Sequence, residues 1–322
     1  MKTNYKKHFA FTCALVGVIM ITTIANTFAQ VAKDNLRPAA IGKQGMVASA
    51  NPLASLAGQK MLANGGNAID AIVAAAASLN AVEPYMSGTA GVGYMLYYSA
   101  KDDKVRSLVF GGWVPKSFKT QSLKGEAKAA DGAGHGAIET VGPKIVAIPG
   151  NLAGWNRALE DYGTMSLKEV FAPTIEYLEN GIPITEFDEA MWKGTVERVK
   201  PHKESVAILF KDGENPYEIG DIFTNKPLAR TMNRGIEVFY QGDIAQQIAA
   251  AFKKDGGFIT VEDLAMVPGR VQWTEPISID YRGYKVYNNP PPGMGIQQLQ
   301  TLKIMEGFDL KAMGHNSTEY LA

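Results

Sequence analysis

The segment that most limits the fold is a run of small and apolar residues at positions 68–81. Its composition predicts a helix that is apolar on nearly every side, and such a helix is stable only when other elements cover it all round. At 14 residues it is shorter than the roughly 20 that a membrane-spanning helix requires. The sequence therefore predicts a helix that is buried inside a layered domain.

A glycine-rich turn at 88–93 follows this helix and precedes two apolar runs. The runs, Tyr94–Tyr98 and Val105–Phe110, flank the turn residues Asp102 and Asp103 and together predict a β-hairpin. A dinucleotide-binding loop needs its glycines between a strand and a helix, whereas here the glycines precede a strand. We therefore expect them to allow two backbone segments to approach closely.

Helical periodicity dominates most of the remaining chain. A helix beginning at Pro52 is predicted to be capped by Ser49 or Asn51. Further helices are predicted over 153–162, 167–180, 186–199, 227–235, 243–255, 260–265 and 295–306, strands over 271–281 and 284–287, and a loop over 119–140. Residues 320–322 follow a cap residue, Ser317, so we expect the chain to stop one turn into a helix and to be truncated.

The first 29 residues have the pattern of a secretory signal peptide. Lys2, Lys6 and Lys7 precede an uncharged, mostly apolar stretch at 9–24, and small residues at Thr27 and Ala29 favour cleavage after position 29. The alternative is an uncleaved membrane anchor, for which the stretch is short. The only cysteine, at position 13, lies inside this segment. We expect an exported protein, periplasmic or extracellular, without membrane attachment after cleavage.

Composition and motifs exclude several classes of protein. Acidic and basic residues are equal in number and no basic block is present, which argues against nucleic-acid binding. The chain has no P-loop, G-x-S-x-G, H-E-x-x-H or C-x-x-C motif. His135, His202 and His315 are far apart and lack further metal ligands at suitable spacing, so no metal site and no cofactor are predicted.

Three polar residues near the apolar helix are candidates for chemistry. Glu83 could be a catalytic carboxylate, but a structural role at a helix end is favoured. Ser87 has no nearby base in sequence, so a nucleophilic role is weakly supported. Asp70 lies in the same distinctive stretch.

Several motifs resemble the γ-glutamyltranspeptidase family. They cover residues 45–322 and include Gly45–Ser49, Pro52–Ser55, Gly65–Ala71, Val82–Gly88, Val146–Gly150, Phe171–Pro173, Phe239–Ala245, Asp255–Gly257, Glu262–Leu264, Tyr281–Tyr284, Pro290–Pro292, Glu306–Asp309, His315–Ser317 and Glu319–Leu321. The resemblance implies the α/β (α+β) class, as a four-layer αββα sandwich of the N-terminal-nucleophile hydrolases. Residues 30–322 match the large-subunit portion of that fold.

The resemblance also implies an activity that this chain alone does not carry. In the family, a precursor cuts itself, and the new N-terminal threonine of the small subunit attacks a γ-glutamyl amide with its own α-amino group as base. That threonine would lie beyond residue 322, so no catalytic residue is assigned here. We expect a γ-glutamyltransferase/glutathione hydrolase-type amidase with a small-molecule amide substrate and the small subunit as partner. The alternatives are a divergent acylase and a non-catalytic, ligand-binding relative.

Two places depart from the family pattern: position 111, and Gly293-Met294-Gly295 after the three prolines, where the family usually has a serine-rich turn. Gly111 stands where the family usually has an arginine that grips the α-carboxylate of the glutamyl group, and a glycine cannot form that bidentate pair. Gly111, Gly112 and Trp113 are the predicted substrate-binding residues. We expect the glycines to open space and the indole to form an apolar wall, which suits a bulkier or less charged acyl group. Arg106, or a basic residue from the missing half of the protein, is an alternative source of charge, but strand alternation places Arg106 on the opposite face.

Overall fold

The computed structural model describes residues 40–43, 45–119 and 142–321. The predicted signal peptide, His135 and nearly all of the predicted loop at 119–140 lie outside the described residues. The chain divides into two units, Met1–Met46 and Val47–Ala322. All the helices and strands described below belong to the second unit.

Helices make up most of the described part of this unit. Their bounds are α1 Pro52–Ala63, α2 Ala68–Val82, α3 Asn151–Tyr162, α4 Leu167–Asn180, α5 Glu186–Val199, α6 Lys203–Leu209, α7 Lys226–Asn233, α8 Ile236–Tyr240, α9 Asp243–Lys254, α10 Val261–Ala265, α11 Val267–Arg270, α12 Gly295–Met305, α13 Leu310–Met313 and α14 Thr318–Leu321, with a short 3-10 turn at Pro143–Ile145. The predicted helices are confirmed, most with bounds within two residues.

The strands form three small antiparallel sheets. They are β1 Gly93–Ser99, β2 Lys104–Phe110, β3 Ile182–Pro183, β4 Ile222–Phe223, β5 Gln272–Thr274, β6 Ile277–Tyr281 and β7 Tyr284–Asn288. One sheet has the order β1-β2-β5, and the other two are the pairs β3-β4 and β6-β7. The hairpin predicted around Asp102 and Asp103 is confirmed as β1 and β2.

The single strand predicted over 271–281 is wrong. It is two strands, β5 and β6, which belong to different sheets and are separated by Glu275 and Pro276. Proline has no N–H group to donate to a strand ladder, so the chain leaves the first sheet at this point.

The apolar helix α2 lies at the centre of the core, as predicted. It packs between α1 and α4, and Val73, Ala74 and Ala77 are fully buried. The Ser78 and Thr174 hydroxyls, both buried, are 2.9 Å apart and join α2 to α4 through a hydrogen bond. Helix α2 is thus buried along most of its surface, as its composition requires, although Ile72 remains 42% exposed.

The hairpin presents two different faces. On the inner face, Leu108 and Phe110 are buried, and the Phe110 ring lies against α3 at Gly154. On the outer face, Leu96 is 39% and Tyr98 57% exposed. The structure is a mixture of helices and small sheets, and the predicted α+β class is confirmed.

Candidate functional site

The predicted substrate-binding residues lie where β2 ends. The last pair in the hairpin register joins Gly93 to Phe110, so Val92 and Gly111 are opposite each other one step further on. Gly111 is buried, and a Cβ atom added to it would lie 2.1 Å from the Cβ of Val92. That distance is far shorter than the ~4.5–5.5 Å usual between facing Cβ atoms, so the two backbones approach closely here because position 111 has no side chain.

Gly112 is closely approached from another direction. Its φ angle of +78° lies in the left-handed region that favours glycine. A Cβ atom added here would lie 2.5 Å from Cγ of Pro292 and 3.4 Å from the Tyr94 hydroxyl. The expectation that the two glycines open space is therefore wrong, because Val92 and Pro292 already occupy that space.

Trp113 and the residues after it are anchored to the rest of the domain. The Trp113 side chain is partly buried and packs against the core, while its carbonyl oxygen accepts a hydrogen bond of 3.0 Å from the Ile148 amide. The amide of Lys116 donates to Oδ1 of Asp263 at 3.1 Å. The indole thus supports the turn from inside the protein.

A cleft of about 520 Å³ lies beside this turn. Its lining residues are Tyr94, Asn288, Asn289, Gly293, Met294, Gly295, Gln297, Gln298, Thr301 and Leu302. Every one of these described residues is uncharged, and several carry amide or hydroxyl groups that both donate and accept hydrogen bonds. The cleft is therefore suited to a neutral, hydrogen-bonding group.

Residues 289–293, which follow β7, cover the end of the hairpin and are held there by contacts with β1 and β2. The Ser107 hydroxyl, on β2, donates to Oδ1 of Asn289 at 2.7 Å. Gly293 lies against the Tyr94 ring, since a Cβ atom added there would be 3.3 Å from Cε1 of Tyr94. The hairpin and the segment after β7 thus form the two walls of the cleft.

Arg106 is engaged elsewhere. Its guanidinium group makes a two-point ion pair with the Asp102 carboxylate and lies 5.5 Å from the centre of the Tyr162 ring. The pairing with Asp102 is the main cause that raises the pKa of Arg106. The alternative that Arg106 serves the Gly111 position is not supported by this geometry.

Asp70 has a structural role. Its carboxylate accepts hydrogen bonds from the amides of Asn67, Thr164 and Met165 and from the Thr164 hydroxyl, at 2.6–3.2 Å. Burial alone would raise the pKa of Asp70, but these hydrogen bonds together lower it below its ordinary value. Asp70 therefore joins the start of α2 to the segment between α3 and α4.

Glu83 also lies at a helix end, as the favoured structural interpretation expects. It is the C-terminal cap residue of α2 and is 7% exposed. Burial is the largest cause that raises its pKa, the Asp188 carboxylate raises it further, and a hydrogen bond from the Asn51 side chain opposes both. The carbonyl oxygen of Glu83 accepts hydrogen bonds from Met86 and from Ser87, which places Ser87 in the turn after the helix.

Sequence reasoning did not identify Val92 as the residue that faces Gly111. It also missed Tyr94 and the amide side chains, which line the cleft. Val92 could have been found from the hairpin register, because a predicted Gly93–Phe110 pair places Val92 opposite Gly111. The amide residues from 288 to 298 are almost 200 positions away along the chain, and no local pattern indicates that they meet the hairpin.

The described residues contain neither a candidate metal cluster nor a candidate membrane-spanning helix. Within residues 40–43, 45–119 and 142–321, no group of three His, Cys, Asp or Glu side chains could hold a metal ion. Among the same residues, no helix is both long enough and apolar enough to cross a membrane.

The chain is similar to known proteins along most of its length. The Gamma-glutamyltranspeptidase family model matches residues 54–322. A Glutathione hydrolase proenzyme of Escherichia coli (strain K12) is 36% identical over 288 residues, which cover 86% of this chain and 47% of the relative. The chain spans about half the length of the curated relatives that it matches.

The chain is also similar to solved structures over most of its length. The crystal structure of Helicobacter pylori gamma-glutamyltranspeptidase has a TM-score of 0.79 and 34% identity, and the match covers 88% of this chain and 81% of that one. The crystal structure of a cephalosporin acylase from Bacillus halodurans has a TM-score of 0.75 and 31% identity, with 89% of this chain and 54% of that one covered.

Proposed function

Because the chain belongs to the gamma-glutamyltranspeptidase family, we propose that it is the large-subunit portion of a γ-glutamyltransferase/glutathione hydrolase-type amidase. The observation that carries this proposal is the match across residues 54–322, joined to a fold similar to that of a solved gamma-glutamyltranspeptidase. The name proenzyme, given to the relatives, supports a precursor that is cut into two subunits.

The proposed reaction is acyl transfer from an amide. The hydroxyl of an N-terminal threonine, beyond residue 322, attacks the amide carbonyl carbon, and the threonine α-amino group takes up the proton. The carbon–nitrogen bond then breaks, the amine leaves with a proton, and an acyl-enzyme remains. Water or an amino acid releases the acyl group. This chain supplies the turn at Gly111 and the neutral cleft beside it.

A divergent acylase is the second candidate, and a specific observation favours it. Gly111 replaces the arginine that the family pattern places there, and losing such a bidentate carboxylate contact costs on the order of 2–4 kcal/mol of binding. The neighbouring cleft is lined by uncharged side chains. The likeness to a cephalosporin acylase structure also supports an acyl group other than glutamyl.

The experiment expresses the full-length protein and a version that ends at residue 322. We expect the full-length protein to cut itself, to show a threonine at the new N-terminus, and to hydrolyse a p-nitroanilide amide. The shorter version is expected to release nitroaniline no faster than buffer.

The outcomes separate the candidates. A higher kcat/KM for γ-glutamyl-p-nitroanilide than for neutral acyl anilides supports the transferase, and the reverse order supports the acylase. A full-length protein that is folded but neither cuts itself nor turns over any of these amides contradicts both and indicates a non-catalytic, ligand-binding relative.

A further inference from the structure

Val92 and Gly111 lie too close together for both positions to carry a side chain. The two residues are opposite each other in the antiparallel register, so side chains at these positions extend from the same face of the hairpin. A Cβ atom at position 111 would lie 2.1 Å from Cβ and 2.6 Å from Cγ1 of Val92. Neither atom is the far end of a flexible side chain, so a larger residue at 111 cannot be accommodated while Val92 keeps its place.

Val92 is also the residue that a ligand would meet here. Gly111 is buried, whereas Val92 is 41% exposed. The surface at this position of the hairpin is therefore the pair of valine methyl groups. It continues into Tyr94, which lies on the same face by strand alternation and lines the cleft.

The chemistry of that surface disfavours a carboxylate. A carboxylate placed against methyl groups loses hydration without gaining a partner. Arg106, the basic residue closest to this turn on β2, is paired with Asp102. The side chains of the cleft offer neutral hydrogen-bonding groups instead.

We propose that Val92 is a specificity-determining residue, which fills the space of a side chain at position 111 and selects amides whose acyl group carries no carboxylate at this point. The proposal rests on the amidase function proposed above. It adds that positions 92 and 111 act as a pair, so that an arginine at 111 becomes useful only when the side chain at 92 is removed.

The test compares two substrates that differ only in one carboxylate, glutaryl-p-nitroanilide and butyryl-p-nitroanilide. The quantity measured is the ratio of their kcat/KM values, glutaryl over butyryl, for the full-length protein. The variants are Val92→Gly, Gly111→Arg and the two combined. Self-cleavage and the melting temperature are recorded for each.

The combined variant is expected to raise this ratio at least tenfold over the wild type, because the guanidinium group can then meet the carboxylate. Gly111→Arg alone is expected to lower the melting temperature and to leave the ratio within about threefold of the wild type. An equal gain for Gly111→Arg alone would overturn the proposal, and so would a folded, self-cleaving combined variant with an unchanged ratio.

A milder substitution keeps the test decisive if the combined variant does not fold. Val92→Thr preserves shape but places a hydroxyl group on the apolar surface, so kcat/KM for butyryl-p-nitroanilide should fall about three- to tenfold. The matched control is Leu96→Thr, a similarly exposed residue on the same face (39%) that pairs with Ser107 rather than facing Gly111, and its values should stay within about twofold. No difference between these variants would refute the role of Val92. A wild type that neither cleaves itself nor turns over either anilide contradicts the proposed function itself, and this inference with it.

Discussion

Asp70 and Glu83 are buried carboxyl groups at opposite ends of α2, and their surroundings shift their pKa values in opposite directions. Asp70 lies in the first turn and accepts hydrogen bonds from several backbone amides. Glu83 lies at the last turn, near another carboxylate. The helix dipole favours negative charge at the first position and disfavours it at the second, in agreement with both shifts.

Asp70→Asn is expected to lower the free energy of unfolding by about 2–3 kcal/mol at pH 7, because an amide cannot replace a carboxylate that accepts hydrogen bonds on both oxygens. Since the pKa of Asp70 is lowered on folding, its stabilising effect is present above the ordinary value of 3.8 and is lost as the pH falls through the folded pKa. Urea unfolding of the full-length protein at several pH values measures this. The control is Asp255→Asn, at an exposed residue, which should change the free energy of unfolding by less than about 0.5 kcal/mol. An equally small effect for Asp70→Asn would contradict the structural role of the Asp70 carboxylate.

Glu83→Gln should have the opposite effect. Because the pKa of Glu83 is raised on folding, the folded protein binds a proton more tightly than the unfolded chain. Stability is therefore greatest below the ordinary value of 4.5 and falls as the pH rises through the folded pKa. The glutamine side chain stays neutral at every pH, so the variant should lose this pH dependence and gain stability near pH 7. Urea unfolding at several pH values measures this pH dependence, and Glu179→Gln, at an exposed residue of α4, is the control. A Glu83→Gln variant that is less stable than the wild type at pH 7 would refute the prediction.

At the scale of single residues, sequence predicted some roles and missed others. Glu83 lies at a helix end, as predicted, because the apolar run of α2 ends just before it, and its carboxyl group accepts a hydrogen bond from the Asn51 side chain. The expectation of open space at Gly111 failed because a glycine leaves room only when no other chain segment fills it. Here Val92 and Pro292 fill it, and both come from other parts of the chain.

At the scale of elements, helix starts are fixed by side-chain caps. Ser166 accepts a hydrogen bond from the Glu169 amide, and the Glu169 carboxylate in return accepts from Ser166, at the first turn of α4. Thr185 with Asp188 and Thr260 with Asp263 form the same reciprocal arrangement. Such caps are visible in sequence, which explains why the predicted bounds of these helices agree with the structure.

Ser166→Ala is expected to destabilise the full-length protein by about 1 kcal/mol, because it removes the cap of α4. Ser166→Thr keeps a hydroxyl group that can accept from the Glu169 amide and donate to the Glu169 carboxylate, and it should retain most of the stability. Thermal unfolding of the three proteins measures the difference. Equal melting temperatures for Ser166→Ala and the wild type would show that the cap contributes nothing.

Strands were harder to predict than helices. The strand predicted over 271–281 fails at Pro276, where the chain changes from one sheet to another. The ribbon of β3 and β4 has only two residues in each strand and pairs segments about 40 positions apart, so no periodicity reveals it. Helix α6 was also missed, since it has seven residues and lacks a side-chain cap.

At the scale of the whole molecule, the outer face of the three-stranded sheet bears on stability. Leu96 and Tyr98 are exposed on this face, and Val92 extends it. We expect residues 30–322, purified alone, to aggregate or to bind a hydrophobic dye, because the exposed apolar side chains on this face and the position of β1 at the edge of the sheet in the described residues favour association. Light scattering and dye fluorescence, compared with the full-length protein, measure this; a soluble monomer that melts cooperatively would contradict it.

Export is a second prediction at this scale. The basic start and the uncharged apolar stretch at 9–24 predict cleavage after Ala29. N-terminal sequencing of the exported protein should therefore begin at Gln30. A mature protein that still begins at Met1 would indicate the membrane-anchor alternative.

The close approach of Val92 to Gly111 has a consequence for how such a protein can change over generations. A mutation that enlarges residue 111 collides with Val92, whereas a mutation that shrinks residue 92 creates no such collision. The order of the two events therefore matters, and a lineage gains a cation at this turn only after it has first lost the valine. Random mutagenesis at one position at a time would leave that outcome undiscovered, whereas a library that varies both codons together would reach it.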